Sequence, residues 1–579
     1  MPSGKKRGAN TRGSSGHRSI LVAAVLGTLS ALTGVWLMLP TNPIAHWGNP
    51  GAQPEAPGGV WFEEVSGPSG IAFRHISGRG SPLYMPEIMT GGVGLFDYDN
   101  DGLLDAYFVQ GGFLVRKGER RPSNKLYRNQ GSAVFEDVTA SSGTGDLNYG
   151  MGCACGDFDN DGFTDLYVTN VGPNVLYRNN GDATFTDVTT AAGVGDDSLS
   201  ASAAFLDYDR DGDLDLFVTN YFAWSVETEI ECETNNGLPD YCKPTHYHVP
   251  SRDTLYRNNG DGTFSDVTEA AGLGVMFGNG LGVVCGDFNE DGWVDICVAN
   301  DETANQLWIN QGDGTFRDTG PASGLAFSGN GATEAGMGID AADVDFDLDT
   351  DIVMTHLAGQ TNTLYIRQDE YWEDRTAHFG LVASRPFTGF GTALIDFNND
   401  GLVDHYVANG RVVVGEGRYA TDDPYAEPNL LFKGRQEGGF EPVEPMDGTA
   451  RLLVHSSRGA AFGDIDNDGG VDILVANHDA GPYVLLNRIA IEGNWIVFDV
   501  RNRHGSHALG AKIRIHIDRK PHVKEARAAY SYCSSNDPRV HFGLGETSIV
   551  TDVRVTWPDG TEQFFGDFAA GAIHELRQE

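Results

Sequence analysis

The chain has 579 residues, too many for one ordinary core, so a repeat array or several domains is expected. Its 81 acids against 40 Lys and Arg give a net charge of −41, which excludes the basic footprint of a nucleic-acid binder. With 76 glycines and 21% charged residues it is turn-rich without being of low complexity.

The amino-terminal residues 1–19 carry Lys5, Lys6, Arg7, Arg12 and Arg18 and read as a basic cytoplasmic end. Ile20 to Leu39 is an apolar stretch long enough, at 1.5 Å per residue, to cross the hydrocarbon core. It lacks a clear small-x-small cleavage site, so the expectation is a transmembrane signal anchor, with a signal peptide as the alternative. Either way the bulk of the chain lies in the cell envelope or outside the cell. Residues 40–59, with Pro40, Pro43, Pro50, Pro54 and Pro57, read as a linker.

From Asp97 onward one nine-residue frame recurs seven times, with acids at positions 1, 3, 5 and 9 and glycine at position 6. The first three copies place Asp97, Asp99, Asp101 and Asp105, then Asp157, Asp159, Asp161 and Asp165, then Asp207, Asp209, Asp211 and Asp215. The fourth has Asp287, Asn289, Asp291 and Asp295, and the fifth Asp343, Asp345, Asp347 and Asp351. The last two have Asp396, Asn398, Asp400 and Asp404, and Asp464, Asp466, Asp468 and Asp472. Oxygen ligands at this spacing converge on a hard cation, and Ca²⁺ takes six to eight of them in flexible geometry. A single copy is an ordinary acidic turn, whereas seven in register point to up to seven Ca²⁺ sites. The fifth loop has Leu348 where the other six have glycine, so the Asp343 to Asp351 site is expected to be weaker.

Each loop is preceded by a small-residue strand such as GMGCACG from Gly150 and followed by a β-branched and aromatic one such as LYVTN from Leu166. A hairpin follows, clearest as LYRNNGDGTFSDVT from Leu255, which makes four strands per unit. Spacings between first aspartates are 60, 50, 80, 56, 53 and 68 residues. Such units bury both faces by radial packing, so the fold expected over residues 60–488 is all-β, a seven-bladed β-propeller. The array ends at VLLNR from Val484, a hairpin strand without a partner, and Trp61 to Val65 matches the missing strand and should close the ring. The loops and the L-Y-x-N-x-G-D-G-x-F-x-D hairpins resemble FG-GAP/VCBS repeats, the units of integrin α-subunit propellers. That resemblance implies Ca²⁺ between the first two strands of most blades.

After Arg488 the acidic period stops. WIVFDVR from Trp495, AKIRIHI from Ala511, VHFGLG from Val540 and VTDVRVTWPDG from Val550 alternate as strands of a small β-sandwich or barrel over residues 493–579. HFGLG and VTWPDG look like the ASPIC/UnbV domain, which follows FG-GAP repeats in the cartilage acidic protein family. HGSHAL from His504 departs from the Asn-Arg-containing segment typical of that domain, which puts in doubt any function resting there.

Of seven cysteines, Cys232 and Cys242 are the expected disulfide, inside the insertion that stretches one spacing to 80. Cys285, Cys297, Cys153 and Cys155 read as buried packing residues. No nucleophile elbow, zinc spacing or phosphate loop is visible. The one candidate site for chemistry is the face opposite the acidic loops. Glu87, Asn148, Glu334 and His455 should converge there with Gln110, Asn170, Asn220, Asn300, His356, Asn409 and Asn477, beside Asp301 and His478. The alternative for these amides is turn capping.

The function expected is an extracytoplasmic calcium-binding propeller that binds an unknown protein or glycan ligand, held to a membrane through its amino-terminal segment. The alternatives are an enzyme or biosynthetic tailoring protein with an axial site, and a scaffold acting through the carboxy-terminal domain.

Overall fold

The computed structural model describes residues 59–579 apart from 116–120, 235, 415–418, 420 and 491–492. The anchor expected at residues 20–39 lies outside the described residues. Among the described residues no helix is long and apolar enough to cross a membrane.

The repeat emerges as seven four-stranded antiparallel sheets, one per acidic loop. Sheet one comprises Val93–Phe96, Asp105–Phe108, Lys125–Asn129 and Phe135–Asp137, in that order. The acidic loop joins its first two strands. The other sheets repeat this plan, and their first strands pack against one another in sequence until the last meets the first. Seven apolar clusters fill the spaces between neighbouring sheets; one joins sheet seven to sheet one through Val93, Leu95, Leu474 and Val484. The first strands are rich in Gly, Ala and Cys because a larger side chain there would strike the next sheet. A Cβ on Gly338 would lie 2.0 Å from the carbonyl oxygen of Phe390.

Closure is as the strand phase predicts. Phe62–Glu64 forms the fourth strand of sheet seven, with Phe62 opposite Asn487 and Glu64 opposite Leu485. The all-β, propeller-like ring therefore has its two ends woven into one sheet.

The C-terminal strands form two sheets around a core that includes Ile496, Phe498, Ile513, Val553 and Trp557. One is antiparallel, ordered Lys520–Glu525, Lys512–Ile517, Ile549–Thr556, Glu562–Ala569. In the other, Asn494–Arg501 pairs antiparallel with Val540–Gly545 and parallel with Ile573–Arg577. That parallel pair joins strands far apart in sequence and leaves no local pattern.

These strands do not stand apart from the ring. The segment 526–539 enters the channel lined by the first strands. Ser531 exchanges backbone hydrogen bonds with Ile339, and its Oγ donates to the Ala460 carbonyl at 2.8 Å and accepts from the Thr392 N–H. The Ser535 carbonyl accepts from Leu95 N–H, Cys533 N–H donates to Ser202 Oγ, and the Cys533 carbonyl accepts from Cys153 N–H. Sheets one, two, three, five, six and seven are thus bonded to one segment on the axis.

Candidate metal centres in the acidic loops

Position 9 of every loop is an aspartate with 0% exposure. One oxygen accepts the N–H of loop position 2, as Asp165 does from Phe158 at 3.0 Å. The other accepts an N–H from the third strand, as Asp165 does from Asn179 at 2.7 Å. The ninth aspartate therefore ties its loop to the hairpin in all seven sheets.

Position 1 behaves as regularly. One oxygen of each first aspartate accepts the N–H of position 6, for example Gly162 to Asp157 at 2.8 Å. Position 6 lies in the left-handed region at every loop, its glycines running from Gly102 at φ 85° to Gly212 at 91°. Leu348 is held at φ 80°, a conformation that costs a side chain about 1–2 kcal/mol.

What is left open is the centre of the loop. In loops one, two, three and seven the Oδ1 atoms of Asp99, Asp159, Asp209 and Asp466 are buried and accept no hydrogen bond. In loops three and four the Oδ1 atoms of Asp207 and Asp287 are likewise buried without a donor. Carboxylate oxygens of Asp97, Asp99 and Asp101 lie within 4.8 Å of one another, as do those of Asp157, Asp159 and Asp165, those of Asp207, Asp209 and Asp215, and those of Asp343, Asp345 and Asp347. Such clusters can hold a metal ion. In the asparagine-bearing loops the amide turns inward: Asn289 Nδ2 donates to Asp291 and Asn398 Nδ2 to Asp400, both at 2.9 Å. Burial, then neighbouring carboxylates, push Asp159 up to about 6 and Asp207 up to about 7.

Two further residue types belong to these sites and escaped the sequence reading. Position 4 also adopts positive φ in all seven loops. Its side chain reaches the position-6 carbonyl of the next loop: Asn100 to Gly162, Asn160 to Gly212, Arg210 to Gly292, Asn399 to Gly469, and Asn467 back to Gly102. Loops four and five break this relay, because Glu290 turns to Arg367 and Phe346 has no polar group to offer. The hairpin asparagines are the second type. Asn258 Nδ2 donates to Leu214 O in its own loop and to Phe158 O in the preceding one. Asn129, Asn179, Asn310 and Asn487 make the same pair of bonds. Recurrence of N-x-G at Asn129, Asn179, Asn258 and Asn310 was the available signal; it reads locally as a turn former.

The C-terminal strands cover the loop face. Ser506 Oγ donates to Asp157, Lys512 Nζ pairs with Asp287 Oδ2 at 2.6 Å, and Arg539 donates to the Asp464 carbonyl. HGSHAL, the segment that departs from the expected pattern, is the part that reaches loop two.

At the opposite end of the axis the amide nitrogens bond backbone carbonyls, and Asn170, Asn300 and Asn477 cap the turns that follow them. Asn170 Nδ2 bonds Pro173 O, Asn300 bonds Ala304 O, Asn409 bonds Pro428 O and Asn477 bonds Gly481 O. Asn220 bonds Arg252 O, Gln110 bonds Arg74 O, and His356 Nδ1 contacts Thr361 O. Asn148 reaches Pro173 O, Glu334 accepts from Thr363, Asp301 accepts from Tyr221, and His455 meets Tyr483. His478 stacks on His75 at 4.8 Å and Glu87 is buried, pushed up to about 7 mainly by burial. The axis itself is filled at this end by Arg458, fully buried, whose guanidinium donates to the carbonyls of Ile88, Gly410, Ser457 and Arg411 over the Phe390 ring. The Cys232–Cys242 disulfide is formed as expected, and Cys153, Cys155 and Cys297 are buried free thiols.

Comparison with known proteins agrees with this architecture. The FG-GAP-like repeat matches at 97–168, 157–218, 234–298, 287–354 and 396–475, more than half of the chain, and ASPIC and UnbV at 501–579. Cartilage acidic protein 1 of Xenopus tropicalis is 24% identical over 364 residues, 61% of this chain and 42% of that protein. The Homo sapiens protein is 28% identical over 305 residues, 51% of this chain and 43% of that protein. The chain thus spans less than half the length of the curated relatives it matches. Among solved structures it is similar to the BP39L lectin from Burkholderia pseudomallei, with TM-score 0.40 and 11% identity over 69% of this chain and 96% of that one. A lectin of Agrocybe aegerita that recognises non-reducing terminal N-acetylglucosamine gives TM-score 0.36 and 16% identity over 68% of this chain and 87% of that one. The chain thus belongs to the FG-GAP-like repeat proteins, carries an ASPIC and UnbV domain after the repeats, and is similar to cartilage acidic protein 1.

Proposed function

We propose that this protein is an extracytoplasmic, calcium-binding, seven-bladed β-propeller that serves as a binding or adhesion module for a protein or glycan ligand. The observation that carries it is the set of buried position-3 oxygens, Asp99, Asp159, Asp209 and Asp466, which face neighbouring carboxylates without a donor. A buried carboxylate oxygen with no partner is expensive, and oxygen-only sites of this charge suit Ca²⁺. Positions 1, 3 and 5 would hold the ion in loops one and five and positions 1, 3 and 9 in loops two and three, while position 9 also ties each loop to its hairpin. When bound, the ion supplies charge neutralisation and rigidity. Weak sites of this kind fill where Ca²⁺ is abundant, which fits export by the amino-terminal segment.

The test is elemental analysis of dialysed protein together with melting in Ca²⁺ and in a chelator. Bound calcium in near-integer ratio, and a melting temperature many degrees lower in chelator, are expected; each site filled at 100 times its Kd contributes about 2.7 kcal/mol. No retained calcium and coincident melting curves would refute the proposal.

A further inference from the structure

The segment HGSHAL and the channel segment 526–539 meet at loop two, where His507, Asn536 and Pro538 line a small cavity beside Asp157. Asp157 uses its two carboxylate oxygens differently. Oδ1 accepts the N–H of Asp161, while Oδ2 accepts the Gly162 N–H. Ser506 Oγ, 349 residues away in sequence, donates to that same Oδ2 from outside the loop. Ser506 is 3% exposed and is itself oriented: its N–H donates to Asn502 Oδ1 and its carbonyl accepts from Asn502 N–H.

A ligand oxygen held from behind by a fixed donor presents its partner oxygen to the ion at a fixed angle. Outer partners of this kind typically change metal affinity 10–100-fold when removed. In loop four the corresponding oxygen, Asp287 Oδ2, accepts Lys512 Nζ, so reaching from the C-terminal strands to a first aspartate is repeated. There the donor is charged and both orients the carboxylate and repels a cation, so loop two is the cleaner case.

We propose that Ser506 is a positioning residue for calcium in loop two, and that calcium binding there is thermodynamically linked to seating of the C-terminal strands and of residues 526–539 in the channel. This rests on the calcium reading above. The link is reciprocal: whatever factor Ser506 contributes to calcium affinity, calcium contributes to docking of the C-terminal strands.

The test uses the full chain. Calcium is titrated against a chromophoric chelator into wild type, Ser506→Ala and Ser506→Thr, and hydrogen exchange is followed at the amides of Ser531, Cys533 and Ser535 with and without calcium. One site in Ser506→Ala should weaken at least tenfold while Ser506→Thr, which keeps the hydroxyl, stays within threefold. In wild type, calcium should slow exchange of the three channel amides at least tenfold, and in Ser506→Ala by less. Equal calcium affinities in wild type and Ser506→Ala, or channel amides indifferent to calcium, would overturn the proposal. A Ser506→Thr protein as impaired as Ser506→Ala would do so too. A wild type that binds no calcium would instead sink the reading beneath it, which the wild-type titration alone reveals.

Discussion

Asn258 offers a direct measure of how firmly successive sheets are joined. Its side chain is 2% exposed and makes three hydrogen bonds: Nδ2 to Phe158 O at 2.8 Å and to Leu214 O at 3.0 Å, and Oδ1 from Gly260 N–H at 3.0 Å. In Asn258→Ala the backbone N–H keeps its bond to Asp215, so only the side-chain bonds are lost. Gly260 is exposed and its N–H turns to water, whereas the Phe158 and Leu214 carbonyls belong to buried residues. Two buried groups left without partners cost about 1–3 kcal/mol each, so the expected loss is about 2–6 kcal/mol. The neighbour Asn259 is exposed and bonds Thr263 Oγ1, so Asn259→Ala should stay within about 0.5 kcal/mol. Urea unfolding in saturating calcium reads both, as a shift in midpoint at unchanged slope. A loss below about 1 kcal/mol for Asn258→Ala, or one equal to that of Asn259→Ala, would refute the inter-sheet role.

Glu87 holds its proton up to about pH 7 in the folded state because it is buried, while the unfolded chain releases it near the ordinary value of 4.5. Its contribution to stability is therefore lost as pH rises from about 4.5 to about 7, and Glu87→Gln should gain up to about 3 kcal/mol on wild type between pH 4 and pH 8; a constant gap across that range would count against it. Leu348→Gly removes a strain of about 1–2 kcal/mol and adds chain entropy of about 0.5–1 kcal/mol, so calcium-loaded protein should melt slightly higher, and a clearly lower melting temperature would contradict the strain. Replacing Cys232 and Cys242 together by alanine should cost the insertion about 3 kcal/mol, seen as roughly hundredfold faster proteolysis within residues 225–250, and unchanged cleavage would argue against a stabilising bridge.

Much of the fold is legible in the sequence because its information is local and repeated. The acid frame, the hairpins and the orphan strand Val484 to Arg488 predict seven sheets and their closure by Phe62–Glu64, and the cysteine spacing predicts the bridge. The remainder is long-range and chemically quiet. Residues 526–539 are mostly small and polar and read as an ordinary loop, although they bond six of the seven sheets. The position-4 and hairpin asparagines announce turns, and nothing in their own neighbourhood names the carbonyls of another sheet. Asn170, Asn300, Asn409 and Asn477 look like a ring of ligand donors when written in a column, but the Nδ2 of Asn170, Asn300 and Asn477 closes the turn that follows it, and that of Asn409 bonds Pro428 O at the far end of a long connection.

The relay of position-4 side chains is a girdle with a seam. Asn467 hands back to Gly102, so from loop six round through loop seven to loop four each loop is fastened to its neighbour; Glu290 then ties loop four to sheet five through Arg367 instead, and the run stops at loop five, where Phe346 offers only a ring, edge-on to His522. A hoop interrupted at one place opens there first. The cavity of about 200 Å³ between the sheets and the C-terminal strands lies at that place, bordered by Phe346, Asp343 and Asp396. A ring that loosens would part between sheets five and six rather than evenly around the circle.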